Sequence, residues 1–304
     1  MSYDLFFARQ RGGELSLTAF QSYFEGRPNW NVRATQASYC NENTSVYFGF
    51  DHGEEAVAEG EVGAAVPVDG GFERVAAFTI NYLRPHYFGL EAAPELSAFV
   101  AEFDLVVDDP QLNGMGRGEF SVEGFLAGWN AGNRFAHEAI LTQHPNEIFH
   151  SLPTLDPQRH WLWNRSRESL QQEVGDAVFV PKIMYHLIDG KVRSGLVWGD
   201  VIPSFLPVVD TLFVPRHEHA PRRFLRRTQD LVCLEWEEAA QIVAEYPLAQ
   251  SPVPHYRLTY TEAPETLARF IRSRRPFETK IAGLPTESVL NAELVAAARK
   301  NDST

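Results

Sequence analysis

The stretch His217-Glu218-His219 would set two imidazoles on one face of a strand, the pairing that a zinc site begins with. A third ligand is needed, and only Asp210 is near in sequence. No H-E-x-x-H and no cysteine partner accompanies the pair, so a polar strand end is the preferred reading. Gly114-Met-Gly116-Arg-Gly118 precedes a helical pattern, where backbone N–H groups can hold phosphate. Its spacing is G-x-G-x-G, and Asp108 and Asp109 immediately before it would repel an anion, so it reads as a turn. Arg84, His86 and Glu91 lie between a strand and a helix and could form an acid–base cluster. The competing reading is a turn whose His and Tyr pack on the following helix.

Two charged stretches offer binding rather than catalysis. Asp51, Glu54, Glu55, Glu59 and Glu61 put five acids on a glycine-rich segment without the D-x-D-x-D-G order of a calcium loop. With Asp108 and Asp109 they are the candidate contacts for a basic partner. Arg222, Arg223, Arg226 and Arg227 form the opposite cluster, a candidate interdomain or anion-binding element. A chain of net charge −13 repels nucleic acid, so no nucleic-acid partner is expected. There is no G-x-S-x-G, P-loop or paired-cysteine motif, and no catalytic residue, metal or cofactor is assigned. The leaning is away from an enzyme. Cys40 and Cys233 are far apart and read as reduced thiols.

The elements that must position these groups alternate strand and helix signals. Tyr3–Arg9, Trp30–Cys40, Thr44–Phe50, Val75–Leu83 and Leu105–Val107 read as strands, with Asn41-Glu42-Asn43 as a turn. Ser16 caps a helix carrying Leu17, Phe20 and Phe24 on one face, and Pro94 is expected to open a second. Ser121–Gln143 reads as a long helix. Gly124, Gly128 and Gly132 recur every four residues on it, which predicts the close passage of another backbone. Val178–Ile188 and Lys191–Trp198 flank Asp189-Gly190, a two-residue hairpin turn. Phe205–Val214, Leu231–Leu234 and His255–Tyr260 follow as strands, with helices at Glu235–Tyr246, Pro264–Arg274 and Thr286–Arg299. The expected class is α+β: two mixed, mainly antiparallel sheets with helices packed on them, joined by the long glycine-containing helix. The expected domains are an acidic one at 1–145 and a near-neutral one at 150–304.

Charge gives the sharpest division. Residues 1–157 hold 8 Arg and no Lys against 22 acids, whereas 158–304 hold 19 basic and 18 acidic residues. No apolar run approaches the roughly 20 residues that span a bilayer, and no signal-peptide pattern opens the chain, so a cytoplasmic monomer or homodimer without a membrane partner is expected. The leading functional expectation is a binding protein for a basic protein partner, in concrete form an immunity- or antitoxin-like inhibitor. The alternatives are an enzyme with an active site in the cleft between two domains, and a structural or assembly module.

Overall fold

The computed structural model describes residues 1–10, 13–53, 67–68, 72–111, 113–144, 146–220, 222–223, 226–227 and 229–301. The fold is α+β with mostly antiparallel sheets. The chain divides into one compact unit of Met1–Thr154 with Leu290–Thr304, and a second of Leu155–Val289. The C-terminal segment therefore belongs with the first unit, not with the second half. The long glycine helix also lies inside the first unit rather than between two bodies.

In the first unit the strands are β1 (Ser2–Gln10), β2 (Trp30–Arg33), β3 (Gln36–Asn41), β4 (Val46–His52), β5 (Pro67–Val68), β6 (Phe72–Asn81), β7 (Val106–Asp109) and β8 (Gly116–Gly118). They form one sheet of order β2-β3-β4-β6-β1-β7-β8, with β5 paired to β6. Strict alternation gives the sheet two unlike faces. Tyr3, Leu5 and Phe7 of β1 and Phe48 and Phe50 of β4 are buried on one. Helices α1 (Leu17–Phe24), α2 (Tyr87–Phe103) and α3 (Val122–Gln143) supply Phe20, Phe24, Phe99 and Phe125 against it. Phe99 meets Phe7 at 5.3 Å and Phe50 at 4.7 Å between ring centroids, and Phe125 meets Phe78 at 6.0 Å. The opposite face carries the cross-strand row Asn31, Ser38, Gly49, Thr79 and Asp4.

Local chemistry explains most of these boundaries. Ser16 caps α1, its Oγ accepting from Ala19 N at 3.1 Å, and Ser121 caps α3 through Gly124 N at 3.1 Å. Trp30–Cys40 is two strands, not one, because the chain reverses at Ala34, whose φ is 48°. Pro94 does not open α2 but sits inside it, on an exposed position seven residues after the first turn begins at Tyr87. The unit is completed by β9 (Ser151–Leu152), which pairs in parallel with β20 (Leu290–Asn291), and by α7 (Ala292–Asn301).

The second unit opens with α4 (Leu155–Val174), a helix in a stretch to which the sequence reading assigns no element. β10 (Met184–Ile188) and β11 (Lys191–Val197) make the expected hairpin. Asp189 and Gly190 have φ of 51° and 74°, the two left-handed residues of a type I′ turn. The expected strand Phe205–Val214 is split: β12 (Ser204–Pro207) and β13 (Thr211–Arg216) belong to different sheets. The remaining elements are β14 (Arg222–Arg223), β15 (Arg226–Arg227), β16 (Asp230–Glu235), α5 (Trp236–Val243), β17 (Leu248–Ala249), β18 (His255–Leu258), α6 (Glu265–Ser273) and β19 (Ala282–Leu284). The larger sheet has the order β16-β13-β11-β10-β19, and β12-β18-β17 forms the smaller. Trp163, Trp198, Leu196, Leu212 and Phe205 lie at the centre of the unit's core.

Candidate functional site

The glycine-rich segment after β7 is organised by an internal carboxylate. Asp109 is 4% exposed and accepts from Tyr3 Oη at 2.5 Å, Met115 N at 2.8 Å and Gln111 N at 3.0 Å. The N–H of Met115, which a phosphate would need, is thus taken by the protein's own anion. Asp109 is thus internal and departs from the partner-contact assignment, while Asp108 pairs with Arg74 at 2.9 Å. Asp51 lies in β4, in register with Gln36 on one side and Ala77 on the other. Glu54, Glu55, Glu59 and Glu61 lie outside the described residues.

Arg84, His86 and Glu91 engage three different sets of partners instead of one another. Arg84 donates to the Tyr47 hydroxyl, with Nε at 2.8 Å. His86 meets Asn291, whose Oδ1 accepts from the His86 backbone N–H at 2.9 Å and whose Nδ2 lies 2.6 Å from Nδ1 of the ring. Glu91 is 2% exposed, and its Oε1 accepts from Asn41 Nδ2 at 2.7 Å, Tyr39 Oη at 2.8 Å and Thr44 Oγ1 at 3.0 Å. Burial and then the Glu91 charge push the Tyr39 hydroxyl well above its ordinary value, so it stays a neutral donor. This carboxylate ties α2 to the turn between β3 and β4.

His217 is exposed and His219 is turned onto Asp200, Nδ1 to Oδ1 at 2.9 Å, so they do not form a pair. Asp200, at φ 47°, also accepts from the N–H groups of Glu218 at 2.7 Å and His219 at 3.1 Å. Burial alone raises its pKa, but these N–H groups and the imidazole outweigh burial and hold the carboxyl below its ordinary value. Among the described residues no three His, Cys, Asp or Glu side chains are grouped to hold a metal ion. The four arginines form cross-strand pairs, Arg222 with Arg227 and Arg223 with Arg226. Arg216, at the end of β13, is internal: 1% exposed, bound to Asp230 at 2.6 Å and to the Ile271 carbonyl at 2.7 Å.

Two groupings were not assembled by the sequence reading, although it names Asp210 as a possible metal ligand. The first is a buried polar cluster in the second unit. Asp210 Oδ2 accepts from Ser194 N at 2.7 Å and Ser194 Oγ at 2.8 Å. His160 on α4 is 2% exposed; its Nδ1 lies 2.9 Å from the Tyr185 hydroxyl and its Nε2 has no partner. Burial, then the charge of Arg159, pushes the His160 pKa down to about 3. Burial likewise pushes Tyr185 far up, with Asp156 and Asp210 adding to it. On the other face of β10, His186 Nε2 lies 3.0 Å from Thr211 Oγ1. The available signal was spacing: His160, Trp163 and Asn164 fall at i, i+3 and i+4, and all three are buried.

The second group is the open face of the first sheet. A cavity of about 530 Å³ is lined by Asn31, Arg33, Gln36, Ser38 and Cys40, and one of about 370 Å³ by Ser38, Cys40, Tyr47, Thr79 and Asn81. They share Ser38 and Cys40, so β2, β3, β4 and β6 present one trough in which amides and hydroxyls alternate with the Trp30 and Phe48 rings and the Arg33 side chain. Its signal was the alternation of exposed Gln36, Ser38 and Cys40 with buried Ala37, Tyr39 and Asn41.

Charge divides by unit much as it does by sequence half. The first unit holds 23 acidic and 10 basic residues, and the second holds 17 of each. Glu102, Asp104, Glu119 and Glu123 are exposed acids of the first unit. Among the described residues no helix is long and apolar enough to cross a membrane. No protein-family model matches this chain, and no curated protein or solved structure matches it either.

Proposed function

We propose that the protein is a binding protein whose acidic first unit recognises a basic protein partner, in the manner of an immunity- or antitoxin-like inhibitor. The observation that carries this reading is the segregation of charge: the net −13 of the chain belongs to the first unit alone, while the second is balanced. A field of one sign on one body accelerates encounter with a partner of the other sign by about 10- to 1,000-fold at low salt. The engagement of Arg84, His86, Glu91 and His219 in structural hydrogen bonds fits a binding role. The trough on the open sheet face offers the amides and hydroxyls of Asn31, Gln36, Ser38 and Thr79 as donors and acceptors for a protein surface.

The test is affinity capture from native lysate at low and high salt, followed by kinetics with the purified partner. The expected partner is strongly basic, and its association slows at least about tenfold when Glu102, Asp104, Glu119 and Glu123 are neutralised to Gln or Asn. The difference should vanish at high salt. A partner whose association ignores both salt and these substitutions removes the reading. One observation favours an enzyme instead: the buried His160, with Nε2 unpartnered, beside Tyr185. Turnover of any substrate that His160→Gln abolishes, with partner binding absent, would select that alternative.

A further inference from the structure

We propose that a cavity of about 360 Å³ beside α3 in the first unit is a binding site for a small, flat, uncharged molecule carrying a primary amide or an equivalent donor–acceptor group. Its volume lies within the roughly 300–1,000 Å³ of small-molecule pockets. Its shape comes from sequence. Gly128, Ala131, Gly132 and Ala136 line it at helical spacing, so one stripe of α3 offers a floor almost without side chains. Such a floor suits a flat face.

The walls are aromatic and one is fixed in place. Tyr82 stacks on Trp129, with centroids 5.5 Å apart and planes at 13°. A methyl at Gly132 would overlap the Tyr82 hydroxyl and come within 2.6 Å of its Cζ, so the glycine admits the ring at this depth. The other wall is Phe135, 68% exposed, whereas Phe125 and Trp129 of the same helix are fully buried. An aromatic ring left at the rim of a cavity is a ready contact for a ligand.

The polar end defines the chemistry. Tyr82 Oη and Gln111 Oε1 face each other at 3.5 Å, a separation at which little of a hydrogen bond remains. A primary amide between them satisfies both: the Tyr82 hydroxyl donates to its carbonyl, and its NH₂ donates to Gln111 Oε1. Burial, then the charges of Asp4 and Asp109, pushes the Tyr82 hydroxyl up to about 12, so it remains a donor at neutral pH. No charged side chain lines the cavity. The charges of Asp4 and Asp109 disfavour a carboxylate there, and no acidic side chain of the lining is placed to pair with an amidinium, which selects a neutral ligand.

Three near-isosteric probes separate these terms: benzamide, benzoate and benzamidine, titrated against the full chain by saturation-transfer NMR. Benzamide is expected to bind at least about tenfold more tightly than either charged probe. Ala131→Trp, which fills the floor, should abolish the signal. Phe135→Ala, a change at an exposed position, should weaken binding severalfold with an unaltered circular dichroism melt. Equal or tighter binding of a charged probe overturns the proposal. So does binding that ignores both variants, or the absence of transfer from benzamide at millimolar concentration. The outcome is independent of the protein-partner reading, because neither probe nor variant changes the charge of the protein.

Discussion

Three glycines on α3 occupy equivalent helical positions but face different neighbours, and alanine at each should therefore act differently. Removing an interior glycine stabilises a helix by about 1 kcal/mol in every case. At Gly124 the new methyl meets Met115 Cγ at 2.5 Å, a flexible thioether that can turn aside. Gly124→Ala should therefore be neutral to stabilising by up to about 1 kcal/mol. At Gly128 the methyl overlaps the Tyr3 hydroxyl and meets the Gly114 backbone Cα at 3.1 Å. Overpacking costs about 1–3 kcal/mol, and displacing the Tyr3 hydroxyl from buried Asp109 about 1.5–3 more. After the helix gain, Gly128→Ala should lose about 2–4 kcal/mol. Gly132→Ala, against the stacked Tyr82, should fall between the two. Urea unfolding, read as a shift in midpoint at constant slope, ranks the three. Tyr3→Phe supplies the internal control. It removes the hydroxyl that the Gly128 methyl overlaps, so it should cost at least about 1 kcal/mol less in the alanine background than in the parent. A Gly128→Ala protein as stable as Gly124→Ala, or an equal cost of Tyr3→Phe in both backgrounds, would refute the reasoning.

Glu91→Ala strands three donors and should destabilise by about 3–5 kcal/mol, whereas Glu91→Gln keeps an acceptor and should lose clearly less; thermal melts of the two variants decide it. The His160 pKa is lowered from 6.5 to about 3, so between these values the unfolded chain binds a proton that the folded one refuses. Stability should be full above pH 6.5 and fall towards pH 3 by up to about 1.4 kcal/mol per pH unit, and His160→Gln should flatten that slope in denaturation series at pH 7, 6 and 5. Cys40 is exposed, whereas burial and then the Glu235 charge push the Cys233 thiol up to about 11. At pH 8, Ellman's reagent should release one equivalent rapidly and a second slowly, and Cys40→Ser should remove only the fast phase.

Elements with a local cause were legible. Ser16 and Ser121 announce helix starts because their side chains cap N–H groups three residues on. Asp189-Gly190 announces its hairpin because both residues tolerate positive φ. Elements with a distant cause were not. Ala34 carries no turn signature, yet the chain reverses there to pair Trp30 with Tyr39. Pro94 is a helix opener by preference, but burial of Tyr87, Phe88 and Glu91 extends α2 ahead of it. The glycine pattern on α3 foretold a close approach, though what approaches is mainly the Tyr82 ring, the Tyr3 hydroxyl and Met115, with backbone only at Gly128. The open face of the first sheet was visible only as the alternation along Gln36–Asn41. Its trough depends on four strands brought into register, and that register is a property of the sheet.

The pairing of Leu290 and Asn291 with Ser151 and Leu152 has a consequence for the order of synthesis. Asn291 reaches His86 and Thr154, and Glu293 accepts from the Thr154 hydroxyl at 2.5 Å. The first unit begins at the chain's first residues but closes with nearly its last, while the whole second unit, 155–289, is made in between. A ribosome that has delivered residues 1–154 has thus delivered a sheet and three helices without the segment that seals them. The inserted unit, contiguous in sequence, can fold before the body that encloses it in the chain is finished. A chain stopped before Leu290 would hold a completed insert inside an open host.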